Sequence, residues 1–550
     1  MTAARLFRPR LSDLWAFLAI ALPVLAALVA AMPAVDLAYQ LRAGTSILDG
    51  AGIPHADTYT FTIPGAVWPD QQWGAQALLA MVYRSAGWSG LAILRAVLVG
   101  ATFGLLLLVV RRRAPELPMR GAALLVLGAF LVAAPTLALR PQLFAMVLFV
   151  ASLLVLADRD RHPRRVWLLP VFALLWANLH GSFPLAIMLP GLAWLADLRS
   201  VAGLRRHTML AVAAVSTVAT VANPLGLGAW SYVVNLATNR TIGSRVSEWR
   251  PPGLTDAPGI LFWLSIVAVV AFVALRARRT RSGGPFVLPP WPELLTLVLF
   301  ALLGAVTGRG LAWWPLVAVF VCADLIGRTA SAGSSEAASP TAEPAPSPAP
   351  PTAEPVPSLA SPLTADAATG ITGGTAPGPR ARRRDQGSPL NAFVAGILIL
   401  AGIALLPMWR PLGLAAIPIG VLSYAPQGIT QRLALFENLN SHAATVWNPQ
   451  VWGSWLEFAI PGELVAVDSR IELFPAPIWD DVDTVSRGGP DAIPTLDRYH
   501  PDFVVVERPA QSALEDTLSA TQAWACIYQD VDGSIWARSD TVLASGAMAC

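Results

Sequence analysis

The chain has 550 residues, 55% of them hydrophobic and 13% charged, with a mean hydropathy of +0.55, whereas a soluble domain carries about a quarter charged residues. That composition excludes an ordinary soluble protein and describes a polytopic membrane protein. The formal net charge of +3 is small, every basic residue is an arginine, and the arginines gather in short runs between apolar segments, so no nucleic-acid partner is expected.

The basic N-terminus "MTAARLFRPRLSDLW" leads into an apolar run ending near Met32. That run is about 20 residues, longer than the roughly 7–15 of a signal-peptide core, and predicts a retained signal anchor. Further apolar segments follow at 89–110, 119–137, 141–157, 166–179, 183–198, 208–222, 258–276, 290–307, 310–327 and 390–408, giving about eleven spans with the first at 13–33. The pair 166–179 and 183–198 is short and suggests tilted or partly re-entrant helices. Arginine runs at 111–120, 158–165, 198–207, 276–284 and 380–384 fall on the same side as Arg5, Arg8 and Arg10 when the spans alternate. By the positive-inside rule that side is cytoplasmic, which places the N-terminus inside and the C-terminus outside a cytoplasmic (inner) membrane.

Four units are expected: a transmembrane domain over 1–328 with a first extracytoplasmic loop at 34–75, a linker at 329–388, a last transmembrane helix at 389–409, and an extracytoplasmic α/β domain at 410–550. The linker is Pro, Ala and Ser with few large apolar side chains, a composition that cannot offset chain entropy and predicts a disordered cytoplasmic tether. In the last unit, "GELVAVDSR" and "PDFVVVERP" read as buried strands, "SALEDTLSATQ" as a helix, and the turn at Asp532-Gly533 as a hairpin. Asp468 and Arg470 follow the first of these strands, where they serve either recognition or chain reversal. Cys322 lies in a span; Cys526 and Cys550 lie near the end, without metal-ligand spacing, and their pairing is left open.

Polar residues near the spans collect on the outer side. Asp36 ends the first span, and Arg140, Asn178, His180, Asn223, Glu248 to Arg250 and Arg309 occupy outer ends or outer loops. Residues at span ends often only cap or snorkel. Arg140, His180 and Arg309, however, each sit in a very short turn that needs no charge or titratable group, and together they suggest an outer polar cavity. Leu37, Leu41, Ile47 and Leu48 recur at helical spacing and predict an interfacial helix holding Asp36 at headgroup depth. A partly desolvated carboxylate there suits a general base acting on a sugar hydroxyl. Arg140 or Arg309 suits the phosphate of a lipid carrier. Trp68, Trp73 and Tyr59 suit stacking on sugar rings, as they also suit an interfacial aromatic belt.

The stretch Asp36-Leu37-Ala38-Tyr39-Gln40-Leu41-Arg42-Ala43-Gly44, followed by Ile53-Pro54 through Asp57, resembles the first-loop region of bacterial multi-span proteins similar to the GT-C glycosyltransferase superfamily. "RPQLF" (140–144), "WANLHGSF" (176–183), "NPLG" (223–226), "EWRPP" (248–252) and "WGSWLEFAIPGELVAVDSRIELFP" (452–475) look like later landmarks of the same group. The resemblance implies a first loop outside the membrane, a catalytic acid in it at Asp36, and inverting transfer of a sugar from a polyprenyl-phosphate donor. Many superfamily members carry adjacent paired acids; here Leu37 follows Asp36, so Asp57 supplies the second carboxylate or none is used. Arg42, Trp73, Arg140, His180, Glu248 and Arg309 are the expected substrate-binding residues. No cofactor is expected, although Asp36 and Asp57 would offer a divalent metal its oxygen ligands. The expected partners are a lipid-linked sugar donor, membrane lipids, and a glycan, lipid or protein acceptor. The alternative is a non-enzymatic protein that transports or flips lipid-linked sugars, or an inactive GT-C-like scaffold. Transport should leave charges deep in the spans on both sides of the midplane, and only Arg95 is a candidate there, which weighs against it.

Overall fold

The computed structural model describes residues 8–281, 290–337, 387–413, 416–423, 425–437, 443–539 and 550. All eleven apolar segments are helical. They correspond to α1 (Leu11–Val29), α3 (Trp73–Arg113), α4 (Met119–Ala133), α5 (Pro141–Ala157), α6 (Leu169–Leu179), α7 (Pro184–Ser200), α8 (Thr208–Ala219), α11 (Ala257–Arg281), α12 (Trp291–Val306), α13 (Trp314–Ala337) and α14 (Pro389–Ala404), with α2 (Ala34–Leu48), α9 (Gly228–Thr238) and α10 (Arg240–Arg245) between them. By length and composition, four helices among the described residues can each cross a bilayer alone: Leu11–Val29, Trp73–Arg113, Met119–Thr136 and Ala257–Arg276. Exposed apolar faces on α11 (Leu264, Val267, Val270) and α14 (Phe393, Ile397, Leu400) are contiguous surfaces that water disfavours and lipid accepts. The protein is a membrane protein. The expected linker over 329–388 lies mostly outside the described residues, apart from the end of α13 and residues 387 and 388.

Of the pair expected to be short, only α6 is: it has 11 residues, about 16 Å of helix against a hydrocarbon core of about 30 Å, whereas α7 has 17 residues, as many as α5. Helix α3 is longer than expected. Its 41 residues would span about 60 Å, but Gly87 adopts φ +57° and breaks it, so that Trp73–Ala86 forms one arm and Trp88–Arg113 the other. Only glycine takes that backbone without strain. Rings of Phe149, Trp176, Phe300 and Trp313 meet with centroids 5.1–6.1 Å apart in the centre of the bundle. Arg95, the charge expected deep in a span, donates to the carbonyls of Ala27, Ala30 and Ala31 and so caps the C-terminal end of α1.

Beyond the helices, β1 (Met32–Pro33) pairs in parallel with β2 (Leu422–Ser423), tying the end of the first span to the C-terminal region. That region continues through α15 (Gln427–Glu437), β3 (Thr445–Trp447), α16 (Gln450–Ala459), β4 (Leu464–Val465), α17 (Ala476–Arg487), α18 (Ala492–Tyr499), β5 (Phe503–Glu507), α19 (Ser512–Ser519), β6 (Trp524–Gln529) and β7 (Gly533–Arg538). The five-stranded sheet has the order β4-β3-β5-β7-β6, parallel at β4-β3-β5 and antiparallel at β5-β7-β6. The expected strand at "PDFVVVERP", the helix at "SALEDTLSATQ" and the Asp532-Gly533 hairpin are present; "GELVAVDSR" contributes only Leu464–Val465 as strand. Cys526 and Cys550 form a disulfide with Cα atoms 5.4 Å apart.

The first loop is not a separate lobe. Tyr59 and Phe61 exchange backbone hydrogen bonds with Val465, 3.1 Å each, extending the sheet beyond β4. Helix α2 therefore differs from the expected interfacial helix: Leu37 and Leu41 are buried against α3 and α16 rather than facing lipid. Gly44 allows this crossing, because a Cβ there would lie 2.1 Å from the Gln76 carbonyl oxygen.

Candidate functional site

A cavity of about 360 Å³ opens where α2, the start of α5, the turns after α6 and before α13, and the C-terminal region converge. Five of the residues singled out in the sequence line it: Asp36, Arg140, His180, Glu248 and Arg309. Each is placed by a helix end or a short turn. Asp36 sits in the first turn of α2, where the helix dipole favours a carboxylate. Ser469 of the C-terminal region donates to the Val35 carbonyl at 3.1 Å and fixes that turn. Arg140 is the extended residue before α5, whose first position is Pro141. His180 ends α6, Glu248 lies in the turn Ser247–Trp249, and Arg309 lies in the turn Gly308–Ala312.

These side chains form one charge chain. Arg140 Nε lies 3.0 Å from Asp36 Oδ2, and Arg140 also pairs with Glu248 Oε1. Glu248 Oε2 is 3.7 Å from Arg309 Nε, and the Arg309 guanidinium stacks over Trp249 at 4.7 Å. Burial pushes the Glu248 carboxyl up, but Arg140 and Arg309 together bring it below its usual range, so it is ionised. Burial, aided by Arg309, drives the His180 pKa down to about 3, which leaves the imidazole neutral at physiological pH. Trp176 Nε1 donates to Ser182 Oγ at 3.0 Å, and His180 Nδ1 accepts the Ser182 backbone amide at 3.2 Å with Ser182 Oγ 2.7 Å away. With Nδ1 an acceptor, Nε2 carries the proton and is a hydrogen-bond donor on a cavity-lining residue.

The remaining three residues lie elsewhere. Asp57, expected to pair with Asp36, is fully buried: it accepts from Arg470 Nη2 at 2.6 Å and from the Thr60 backbone amide and hydroxyl at 3.1 and 2.7 Å. Arg470 is held in turn by Asp468, whose carboxylate also accepts the Arg470 backbone amide at 2.7 Å. Asp57 thus joins the first loop to the C-terminal sheet and shares no site with Asp36. Arg42 donates to the carbonyls of Glu457 and Pro461 at 2.7 and 3.0 Å and lies over Tyr59 at 4.0 Å, clamping α2 to α16. Trp73 donates to Asn178 at 2.9 Å and locks the start of α3 to the end of α6. Tyr59 and Trp68, offered as stacking platforms, are both covered by the Arg470 guanidinium, at 4.8 and 4.3 Å. Among the described residues, no three His, Cys, Asp or Glu side chains converge as metal ligands would.

Glu472, Tyr232, Tyr39, Gln40 and Gln72 also line the cavity, and the sequence reading did not select them. Burial raises the Glu472 pKa above the usual carboxylate range, and its Oε1 accepts the Tyr232 hydroxyl at 3.2 Å. The polar loop after β4 was the signal in the sequence, but it pointed to Asp468 and Arg470 instead, the two residues that turned out to be buried.

No family model matches the chain, and no curated protein sequence matches it. Solved structures do. Oligosaccharyltransferase AglB from Archaeoglobus fulgidus, in complex with an inhibitory peptide and a dolichol-phosphate, superposes with a TM-score of 0.53 at 12% identity, covering 96% of this chain and 75% of its own. An oligosaccharyltransferase from the same organism, tethered to an acceptor peptide containing the NVT sequon via a disulfide bond, gives a TM-score of 0.48 at 11% identity, over 96% and 74% of the two chains. At such identity the first likeness speaks for the fold alone. The chain has a fold similar to that of this archaeal oligosaccharyltransferase, in keeping with the resemblance read from its first loop.

Proposed function

We propose that this protein is a membrane glycosyltransferase that moves a sugar from a polyprenyl-phosphate-linked donor to a cell-envelope acceptor on the outer face of the cytoplasmic membrane. The observation that carries the proposal is the convergence of Asp36, Arg140, His180, Glu248 and Arg309, from three helix ends and two short turns, on one cavity. Asp36 takes the proton from the acceptor's attacking group as the new glycosidic bond forms on the opposite face of the sugar. The bond between the sugar and the phosphate oxygen breaks, and the electron pair leaves with the lipid phosphate. Arg140 and Arg309 bear the charge that collects on this leaving group, and neutral His180 supplies a further hydrogen-bond donor. Asp57, Arg42 and Trp73 act as positioning residues that hold the loop. The Cys526–Cys550 disulfide supports an extracytoplasmic C-terminal domain, since such bonds persist outside the reducing cytosol.

The test is transfer of a labelled sugar from a polyprenyl-phosphate donor by the purified protein and by Asp36→Asn. The substitution keeps the shape and removes the base, a loss of about 10²–10⁴-fold. Equal rates in the two proteins refute the role of Asp36. The alternative, passage of lipid-linked sugars, draws on a second cavity of about 460 Å³ at the opposite end of the bundle, lined by Arg113, Arg159, Asp197, Glu293 and Arg328. Donor translocation across vesicles without any sugar transfer would favour it.

A further inference from the structure

A third cavity, of about 270 Å³, abuts the Asp36 cavity and shares Arg140, Gln142, Glu248 and Arg309 with it. The rest of its wall includes Pro135, Thr136, the turn Arg250–Gly253 and Asp256. The two cavities meet at the Arg140–Glu248–Arg309 chain, with one guanidinium on each oxygen of the same carboxylate. Two cations bridged by one anion is the arrangement a phosphate would take up. Yet the Arg309 Nε is buried and has no hydrogen-bond partner among the described residues: at 3.7 Å the carboxylate attracts it without bonding it. A tetrahedral phosphate, with oxygens spread more widely than those of a carboxylate, can reach both guanidiniums at bonding distance.

Resting on the reading of Arg140 and Arg309 as phosphate ligands, we propose that Glu248 occupies the seat of the donor's phosphate in the free protein and is displaced by it on binding. Charge balance supports the exchange. Asp36 and Glu248 offset Arg140 and Arg309, and Arg250 and Asp256 in the adjoining wall add one charge of each sign, so an added phosphate would leave an excess negative charge in a partly buried site unless one carboxylate departs. Of the two, Asp36 is fixed by α2 and the Ser469 bond, whereas Glu248 stands on a three-residue turn, 39% of its side chain exposed. That turn also packs on the other: the Gly308 amide donates to the Arg250 carbonyl at 2.9 Å, and a Cβ at Gly308 would come within 3.1 Å of the Glu248 carbonyl oxygen. Withdrawal of the Glu248 side chain therefore joins the two cavities, while these backbone contacts keep the Arg309 turn in place. Arg140, relieved of Glu248, then bridges the phosphate and Asp36, so an acceptor is activated only beside a bound donor.

The probe is farnesyl phosphate, titrated into the purified full-length protein in detergent and into Glu248→Gln, Glu248→Asp and Arg140→Gln. Glu248→Gln removes the competing charge and is expected to bind about tenfold more tightly than wild type, the scale of one charge-assisted hydrogen bond. Glu248→Asp, too short to span both arginines, is expected to fall between them, and it carries the test if the Gln variant does not fold. Equal or weaker binding by the Glu248 variants, with binding lost in Arg140→Gln, overturns the displacement and leaves the phosphate site standing. Binding indifferent to Arg140→Gln, or none by any of the four proteins, overturns the phosphate site itself and the displacement with it.

Discussion

Replacing Asp70 by Asn should make the protein's stability less sensitive to pH, in a direction and size that follow from one carboxyl group. Asp70 is 4% exposed, one oxygen accepts from Gln76 Nε2 at 2.7 Å, and the other has no hydrogen-bond partner among the described residues. Burial is the dominant influence and outweighs the bonds from Gln76 and the Gln72 backbone, so the pKa rises from 3.8 to about 7. Between these two values the unfolded chain has released the proton while the folded chain still holds it. Stability therefore falls as pH rises through that window and levels off above about 7. About three pKa units at about 1.4 kcal/mol each set an upper scale of about 4 kcal/mol. Asparagine resembles the neutral acid and does not titrate. The measurement is thermal unfolding of both proteins in one detergent from pH 4.5 to 8.5, taken as the difference between them so that other titrating groups cancel. The variant should gain on wild type as pH rises. A difference that stays flat, or that favours wild type at high pH, refutes the account of a buried, protonated Asp70.

Asp468→Ala should destabilise the protein by about 3–5 kcal/mol, measured by unfolding, because it strips Arg470 of its principal buried partner and leaves the guanidinium to Asp57 alone. Gly87→Ala should cost about 1–3 kcal/mol, because φ +57° with ψ −153° strains any residue but glycine, whereas a Cβ there meets no atom of the described residues within 4 Å; no measurable loss would refute the strain. His180→Gln, which keeps a neutral donor, should retain more transferase activity than His180→Ala, and neither should change the pH dependence between 5 and 8, since His180 stays neutral there. Reporter fusions after Arg113 and Arg206 should report cytoplasm, and one at Cys550 the outside; a cytoplasmic signal at Cys550 would separate the disulfide domain from the proposed site.

The sequence by itself determined the elements. Hydropathy runs became helices because in lipid a helix alone satisfies its own backbone, and the Asp532-Gly533 turn became a hairpin because its chemistry is local. That Arg140, His180 and Arg309 would meet at one cavity was legible for a related reason: a charge or imidazole in a turn of a few residues has no local explanation, so its partner has to be remote. What only the tertiary structure decided were the pairings across the chain. Asp36 and Asp57 share one loop, yet Asp36 faces the cavity and Asp57 pairs with Arg470, 413 residues away. Arg42 looked like a ligand-binding arginine until α16 presented its carbonyls to it. Leu37 and Leu41 looked lipid-facing because an apolar helical stripe records that a surface will be covered and not what will cover it. Glu472 carried no local signal, and it becomes a cavity residue only because the C-terminal sheet, extended by Tyr59 and Phe61, brings its loop over the helix ends. Periodicity and turn chemistry act over a few residues and are written in the chain; burial and charge pairing depend on which segments meet, and here the meeting of the first loop with the last domain settled them.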